Sequence, residues 1–273
     1  MLFMLPIANI FAQGTYVSFN AGFGAKMSSQ NLPDYYNYTQ SDNYNGENNS
    51  RVITSEQINA SLGKGLNFGL SIGNMFNKNI GAELGVSYLM GGKTKAKDSY
   101  STNGTVNETT DYTISAKMLR IVPTLVFTPG MEKINPYAKF GLIVGLGTIT
   151  EEHSRNIDGD VNFEKTKYKG GLALGLNTAL GVAFDLNEKM SFFGELNMVN
   201  LSYAPKKGEV TEATYNGADQ LPDMTTSDKK IEFVDKVTTN SSNPQLDSEA
   251  TKELKTKLPF GSIGLNIGIH FKL

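Results

Sequence analysis

The sequence predicts an all-β fold, an eight-stranded antiparallel up-and-down transmembrane β-barrel, from three observations. Eight stretches alternate apolar and polar residues with the period of two that is typical of strands. Long and short connections follow one another strictly, as in a barrel that has tight turns at one rim and long loops at the other. The row opposite the apolar residues is rich in Gly, Ser, Asn and Ala, which suit the narrow interior of such a barrel.

Composition narrows the functional classes. The chain has 273 residues, a net charge of −2 and no Cys. The balanced charge argues against a nucleic-acid partner, and the lack of Cys excludes disulfides and thiolate metal sites. No run reaches the roughly 18 apolar residues that a membrane helix requires, whereas alternating barrel strands need no such run.

The first 13 residues, MLFMLPIANIFAQ, are apolar and then turn small and polar. This pattern predicts the remnant of a secretory signal peptide, cleaved near Ala12 or Gln13. An apolar first strand or helix is the alternative. Residues 14–273 are then expected to form a single barrel domain, with a long insertion at about 204–257.

The first four strands follow in order. TYVSFNAGFGA begins at Thr15, and LNFGLSIG lies within about 64–73. The third strand, IGAELGVSY, covers 80–88, and the fourth covers about 114–128. The stretches 26–61 and 91–111 are polar and show no sustained period, so they predict loops, while 77–79 predicts a short turn.

The last four strands show the same alternation. They are expected at 136–147, 172–185, about 190–203 and 262–273. Tight turns at 129–133 and 187–189 alternate with long polar stretches at 148–169 and 204–257, and residues 247–255 predict a short capped helix. The final strand, SIGLNIGIHFKL, alternates to its last residue.

The apolar rows are expected to face lipid, because the opposite rows carry too few charges and too much Gly to face water. A soluble lipocalin-like barrel is the alternative and needs the reverse orientation. Few charged residues lie at interior positions and, since buried charges persist when paired, four of them predict a salt-bridged lumen network that plugs the barrel. These residues are Glu83, Arg120, Lys139 and Glu195. A solvated position near a rim is the alternative for each.

Outward phenylalanines near the tight-turn rim predict an aromatic girdle at the membrane interface, built without Trp. The five are Phe76, Phe127, Phe184, Phe192 and Phe271.

Catalytic and metal sites receive little support. His153, beside Glu151 and Ser154, is placed for a Ser-His-acid set, but a solvated loop histidine is the favoured interpretation. Residues 156–162, NIDGDVN, resemble a calcium loop without its final Glu, which favours a simple turn. His270 predicts a polar lumen filler. We therefore expect no catalytic residue, no metal and no cofactor.

A tyrosine-rich stretch in the first long loop offers a recognition patch, with ordinary loop packing as the favoured alternative. Its members are Tyr35, Tyr36, Tyr38 and Tyr44.

The hairpin LRIVPTLVFTPGMEKINPYAKFGLIVGLG at 119–147 and the terminal IGLNIGIHFKL at 263–273 resemble the eight-stranded outer-membrane β-barrel family of the OmpA and OmpX type, the outer membrane protein beta-barrel domain. The resemblance implies short periplasmic turns, long extracellular loops and the outer membrane of a Gram-negative-type envelope. It also implies a terminal assembly strand, carried here by Ile269, Phe271 and Leu273, that the barrel-assembly machinery reads.

These observations predict a non-enzymatic barrel with an occluded lumen, acting in envelope integrity, adhesion or partner binding. Its expected partners are outer-membrane lipid, the assembly machinery, and an envelope protein or surface ligand bound through the loops. A narrow channel or small-solute porin is the first alternative, and a lipid-modifying enzyme is the second.

Overall fold

The structure, a computed structural model, describes residues 14–27, 31–46, 49–238 and 246–273. The expected signal peptide, residues 1–13, lies outside them. Eight strands form the wall of the molecule, as the alternating pattern predicts. They are β1 Thr15–Lys26, β2 Gly65–Met75, β3 Ile80–Gly91, β4 Thr105–Phe127, β5 Ile134–Ile157, β6 Ala173–Asp185, β7 Met190–Tyr203 and β8 Ser262–Lys272.

Each wall strand pairs antiparallel with its neighbour in the chain order of these eight, and the two ends of the series pair with each other. β1 meets β8 along its whole length, from Tyr16 opposite Lys272 to Lys26 opposite Ser262. The eight strands therefore form a closed barrel. No helix in the described ranges has the length and apolarity to span a membrane.

The apolar face of each strand points outward and the Gly-rich polar face points into the lumen, as predicted. Leu174 and Leu265 are each 67% exposed on the outside, whereas Asn266, the residue after Leu265, is buried in the lumen. A continuous belt of exposed Leu, Ile, Val and Phe side chains surrounds the barrel. Only lipid gives such a belt a favourable environment.

Four outer loops join the strands at the rim opposite the tight turns: loop 1 (27–64), loop 2 (92–104), loop 3 (158–172) and loop 4 (204–261). They contain further strands instead of the irregular structure that the sequence predicts. These are Asn31–Asn43, Ser50–Asn59, Thr94–Thr102, Asp160–Lys169, Lys207–Tyr215, Ala218–Asp219, Lys230–Val234, Thr251–Leu254 and Leu258–Pro259. Both faces of these hairpins are largely polar, so their sequences lack the alternation of apolar and polar residues from which strands are predicted.

The predicted helix at 247–255 is wrong. Residues 251–254 form a strand that pairs in parallel with Ile231–Val234, so the backbone of this segment hydrogen-bonds to a neighbouring strand instead. A one-turn helix, Thr226–Lys229, lies earlier in loop 4, and the Thr225 hydroxyl accepts a hydrogen bond from the Asp228 amide at its start. A 3₁₀ turn, Leu221–Asp223, precedes it.

An apolar cluster closes the outer end of the lumen, where the sequence predicts small or polar side chains. Leu89, Met118 and Ile143 from the wall pack in one buried cluster with Leu32 of loop 1 and Phe260 of loop 4. The loops exclude water at this end, so inward positions can be apolar there. The half nearer the tight turns follows the expectation of a polar interior in part: it buries Ser18, Ser71, Glu83 and Glu195, beside a smaller apolar cluster of Val126, Tyr137 and Phe193.

Lipid exposure gives a direct test of orientation. Ile267 on β8 and Val52 in loop 1 are 59% and 58% exposed, but only Ile267 lies in the apolar belt. Ile267→Arg should lower the free energy of unfolding by about 2–4 kcal/mol, measured by denaturant titration in lipid vesicles. Val52→Arg, the matched control, should change it by about 0.5 kcal/mol or less. Equal costs at the two positions would contradict the assignment.

Candidate functional site

Lys139 lies at the centre of the polar half of the lumen, between two glutamates from opposite sides of the barrel. Its Nζ is 3.1 Å from Oε2 of Glu83 and 3.5 Å from Oε2 of Glu195. All three side chains are almost entirely buried. Single removal of such a buried partner is costly, because the remaining charge has no water to solvate it.

Each glutamate accepts a hydrogen bond from a tyrosine two strands away. The two tyrosine–glycine–glutamate rows, each running across three neighbouring strands, lie four strands apart in the barrel. Tyr16 on β1, Gly73 on β2 and Glu83 on β3 are directly paired, and the Tyr16 hydroxyl donates to Glu83 Oε1 at 2.8 Å. Tyr137 on β5, Gly181 on β6 and Glu195 on β7 repeat the row, with a 3.0 Å hydrogen bond to Glu195 Oε2.

The glycine in each row is required by space. A Cβ added at Gly73 would meet the Tyr16 ring at 2.4 Å, and a Cβ at Gly181 would meet the Tyr137 ring at 2.4 Å. Each tyrosine therefore crosses its neighbouring strand over a bare backbone to reach a carboxylate two strands away.

Arg120 does not join this ion-pair network. It is 4% exposed, and its Nε and Nη2 atoms are buried without a hydrogen-bond partner among the described residues. It lines a cavity of about 80 Å³ together with Asn20, Asn67 and Asn197. The expectation that Arg120 forms a lumen salt bridge is therefore wrong, because this stretch of the wall presents amides to it.

Aromatic rings complete the layer around Lys139. Its Nζ lies 5.0 Å from the ring centroid of Tyr137 and 5.4 Å from that of Phe193. His270 stacks on Phe193 at 4.2 Å and shares a 2.6 Å hydrogen bond with the Ser18 hydroxyl. His270 thus fills the lumen, where the sequence places it.

The remaining predicted residues lie apart from this layer. The five girdle phenylalanines, Phe76, Phe127, Phe184, Phe192 and Phe271, are all exposed on the outside, at the ends of strands next to the tight turns. On the terminal strand, Phe271 and Leu273 are exposed and Ile269 is half-buried. Their proposed roles at the interface and in assembly remain predictions.

His153 and the stretch 156–162 lie on the β5–loop 3 hairpin, outside the lumen. His153 stacks on Tyr112 at 4.9 Å with its ring almost parallel. Asp158 and Gly159 both have positive φ and form the hairpin turn, which Asn156 supports by accepting the Gly159 amide at 3.0 Å. This geometry is that of a tight two-residue turn.

Two partitions divide the interior of the barrel. A cavity of about 340 Å³ at the tight-turn rim and the 80 Å³ cavity above it share Glu83 and Lys139 in their linings. The apolar cluster lies between the 80 Å³ cavity, which Ile143 lines, and a third cavity above it, which Ile114 lines. The charged layer and the apolar cluster therefore stand in series along the barrel axis.

The third cavity, here called the outer pocket, has a volume of about 260 Å³ and opens among the loops. Tyr112 donates to Asp98 Oδ2 at 3.4 Å, and Tyr168 donates to Glu151 Oε2 at 3.0 Å. Burial and the neighbouring Asp98 carboxylate raise the pKa of Tyr112 to about 12. Burial also raises the pKa of Asp98, although the Tyr112 hydroxyl opposes this shift.

The sequence identifies only part of these sites. Tyr35 and Tyr36 of the tyrosine-rich stretch line the outer pocket, whereas Tyr38 packs on Tyr100 instead. Tyr112 and Tyr168 could not be assigned to the pocket, because long-range strand pairing brings them there. One feature of the sequence could have identified Tyr16 and Tyr137 as partners of the lumen charges: each is a bulky polar ring at an inward position next to the tight-turn rim.

A family model described as "Outer membrane protein beta-barrel domain" matches residues 6–219. No curated protein sequence matches the chain. Among solved structures, the chain is similar to Neisserial surface protein A (NspA), with 10% identity, a TM-score of 0.39, and coverage of 95% of this chain and 97% of that one. It is also similar to Acinetobacter baumannii CarO, with 17% identity, a TM-score of 0.29, and coverage of 76% and 92%. For A. baumannii CarO2 the identity is 12%, the TM-score 0.31, and the coverage 95% and 99%.

The buried charge layer predicts a specific pattern of stability. Lys139→Met should lower the free energy of unfolding by about 3–5 kcal/mol, because two carboxylates then face each other without a cation. Adding Glu83→Gln and Glu195→Gln should recover most of this loss, since both amides can still accept the tyrosine hydrogen bonds. Denaturant titration in vesicles measures both variants.

The matched control for this experiment is Lys169→Met. Lys169 also forms a 3.1 Å salt bridge, to Glu209, but on the exposed surface of the loops. Its loss should cost at most about 1 kcal/mol. A single Lys139 variant as stable as wild type, or a triple variant no better than the single one, would refute the proposed coupling.

Proposed function

The chain belongs to the outer membrane protein beta-barrel family and is an integral protein of the Gram-negative outer membrane, and from this premise we propose that it is a non-conducting barrel. In this proposal the barrel anchors an ordered platform of outer loops that binds a ligand or partner at the cell surface. The function requires no catalytic residue and no transport through the lumen.

The observation that carries the proposal is the pair of partitions in series. Lys139, Glu83 and Glu195 bridge the lumen in the polar half, and the apolar cluster packs at the outer end. An ion crossing this path would have to displace a buried charged network and then enter an apolar, water-excluding segment. These two barriers favour an anchoring role over the porin alternative.

The order within the outer loops supports a role in surface binding. β4 and β5 continue past the membrane belt as a long hairpin, and loops 2 and 3 pair with these extensions. Loop 4 adds its strand Lys207–Tyr215 to the strand of loop 3. A binding surface that is already ordered loses less conformational entropy when its partner arrives.

The enzyme alternative has weaker support. A Ser-His-acid set needs a histidine within hydrogen-bond reach of both a nucleophile and an acid. The His153 ring instead stacks on Tyr112, within a continuous ladder of paired strands. These contacts favour the surface-binding platform over a lipid-modifying enzyme.

Single-channel recording tests the proposed occlusion. Purified protein in planar bilayers with molar KCl should give no regular open steps, because no continuous water path crosses both partitions. The charge-neutral triple variant of Lys139, Glu83 and Glu195 should also remain silent, since the apolar cluster persists. A general porin reconstituted into the same bilayers provides the positive control. Frequent ohmic openings of the wild-type protein would overturn the proposal in favour of the channel.

A further inference from the structure

The outer pocket is built by every outer loop together with the extended β4–β5 hairpin. Tyr36 comes from loop 1, Asp98 from loop 2, Tyr168 from loop 3 and Phe233 from loop 4, while Tyr112 lies on β4. A cavity to which all loops contribute forms only when the loops are assembled. Its volume of about 260 Å³ suits a small molecule or the head group of one.

The floor of this pocket is closed. Ile114, which belongs to the buried apolar cluster, and Leu258, which packs against the cluster, both line it. The pocket therefore ends on the apolar partition of the lumen. A molecule that enters from outside has no path onward through the barrel.

Aromatic rings form much of the pocket wall, and neighbouring groups fix their positions. Tyr168 packs against Phe233 with ring centroids 5.9 Å apart, and its hydroxyl is held by Glu151. Tyr112 is held by the His153 ring and by Asp98. Faces of such rings attract cations through their quadrupoles, most strongly where water is partly excluded.

The charged side chains that line the pocket are all acidic among the residues that the structure describes. They are Asp98, Glu151 and Glu253, and no Lys or Arg of the described ranges lines it. Within the described part of the chain, none of the three forms a salt bridge. Partial burial and the charge of Glu151 together raise the pKa of Glu253, as expected when carboxylates share one site.

Carboxylates elsewhere on the outer part of the β4–β5 hairpin form salt bridges. Glu152, the neighbour of Glu151 in sequence, pairs with Lys165 at 3.2 Å, and Glu108 pairs with Arg155 at 2.7 Å. Lys165 and Arg155 thus neutralise these two carboxylates, whereas no salt bridge within the described ranges neutralises the three that line the pocket. An external cation would complete the charge balance there.

The arrangement does not suit a metal ion. No group of three His, Cys, Asp or Glu side chains in the described ranges is close enough to ligate one. The carboxylates are instead spread around a pocket with aromatic walls, and two of them already accept a tyrosine hydrogen bond. Spaced negative charge and aromatic faces together match a larger, weakly hydrated cation.

We infer that the outer pocket binds a small organic cation, a molecule with a quaternary ammonium or guanidinium group that lies against the aromatic wall and is neutralised by Asp98, Glu151 and Glu253. The inference deepens the proposed surface role by naming a ligand class. It depends on the loops and is independent of whether the lumen conducts.

Calorimetric titration of the full chain in detergent tests the inference, with choline and agmatine as probes. The neutral isostere of choline, 3,3-dimethyl-1-butanol, separates charge from shape. At least one cationic probe should bind with saturable heat at millimolar concentration or below, and the isostere should bind at least about tenfold more weakly. Absence of saturable binding by both cations, or equal binding of the isostere, would overturn the inference.

Substitutions of pocket and control carboxylates locate the binding. Glu253 and Glu249 lie near each other in loop 4, but only Glu253 lines the pocket, as does Glu151 of β5. Glu151→Gln with Glu253→Gln should weaken the bound probe at least about tenfold, whereas Glu249→Gln should leave its affinity within about twofold of wild type. Equal effects of the pocket and control variants would place the cation elsewhere and refute the site.

The folding of each variant and the conductance of the barrel are measured separately from cation binding. Heat-modifiable mobility in gel electrophoresis shows that each variant retains its folded barrel, and the singly substituted Glu253→Gln serves if the double variant does not fold. If the bilayer shows no conductance and no cationic probe binds, the ligand class is refuted and the anchoring role stands. If the barrel conducts but still binds choline or agmatine, the anchoring role is refuted and the ligand class stands.

Discussion

The closed backbone ladder is the constraint on which the rest of the structure depends. Lipid offers no hydrogen bonds, so every strand N–H and C=O in the membrane must find a partner within the protein. The pairing of β1 with β8 over its full length removes the last free edge. Once the ring is closed at eight strands, the interior has room only for side chains. The sequence then decides which side chains occupy this space.

The two halves of the interior solve this packing problem differently. Near the tight turns, Lys139 neutralises part of the charge of Glu83 and Glu195. Tyr16 donates to the other carboxylate oxygen of Glu83, and Tyr137 donates to the Glu195 oxygen that Lys139 also contacts. Near the loops, apolar side chains from the wall pack with residues that the loops insert. The first half gains specificity from directional contacts, and the second gains stability from burial of apolar area. Between them lies the small cavity that Arg120 lines.

The parts of the fold that depend on local alternation could be predicted, and the parts that depend on distant pairing could not. Leu265 beside Asn266 already shows which side faces lipid, because the period of two fixes alternate residues to opposite faces. Residue parity also places Lys139, Glu83 and Glu195 in the lumen, but parity does not give the height of a residue along the barrel. Arg120 therefore could not be separated from the network. The strands of the loops pair through polar backbone stretches, so Tyr112 and Tyr168 gave no sign of their common pocket.

The long β4–β5 hairpin sets what the molecule presents to its surroundings. Residues 147–157 of β5 continue beyond the apolar belt, and at about 3.3 Å per residue with the usual strand tilt they rise roughly 30 Å. The turn at Asp158 and Gly159 thus stands far from the acyl chains and from the packed interior. An antibody or phage approaching the cell would reach this tip before any other part of the hairpin. Because few buried contacts depend on it, the tip can vary or accept an inserted epitope while the barrel below keeps its shape.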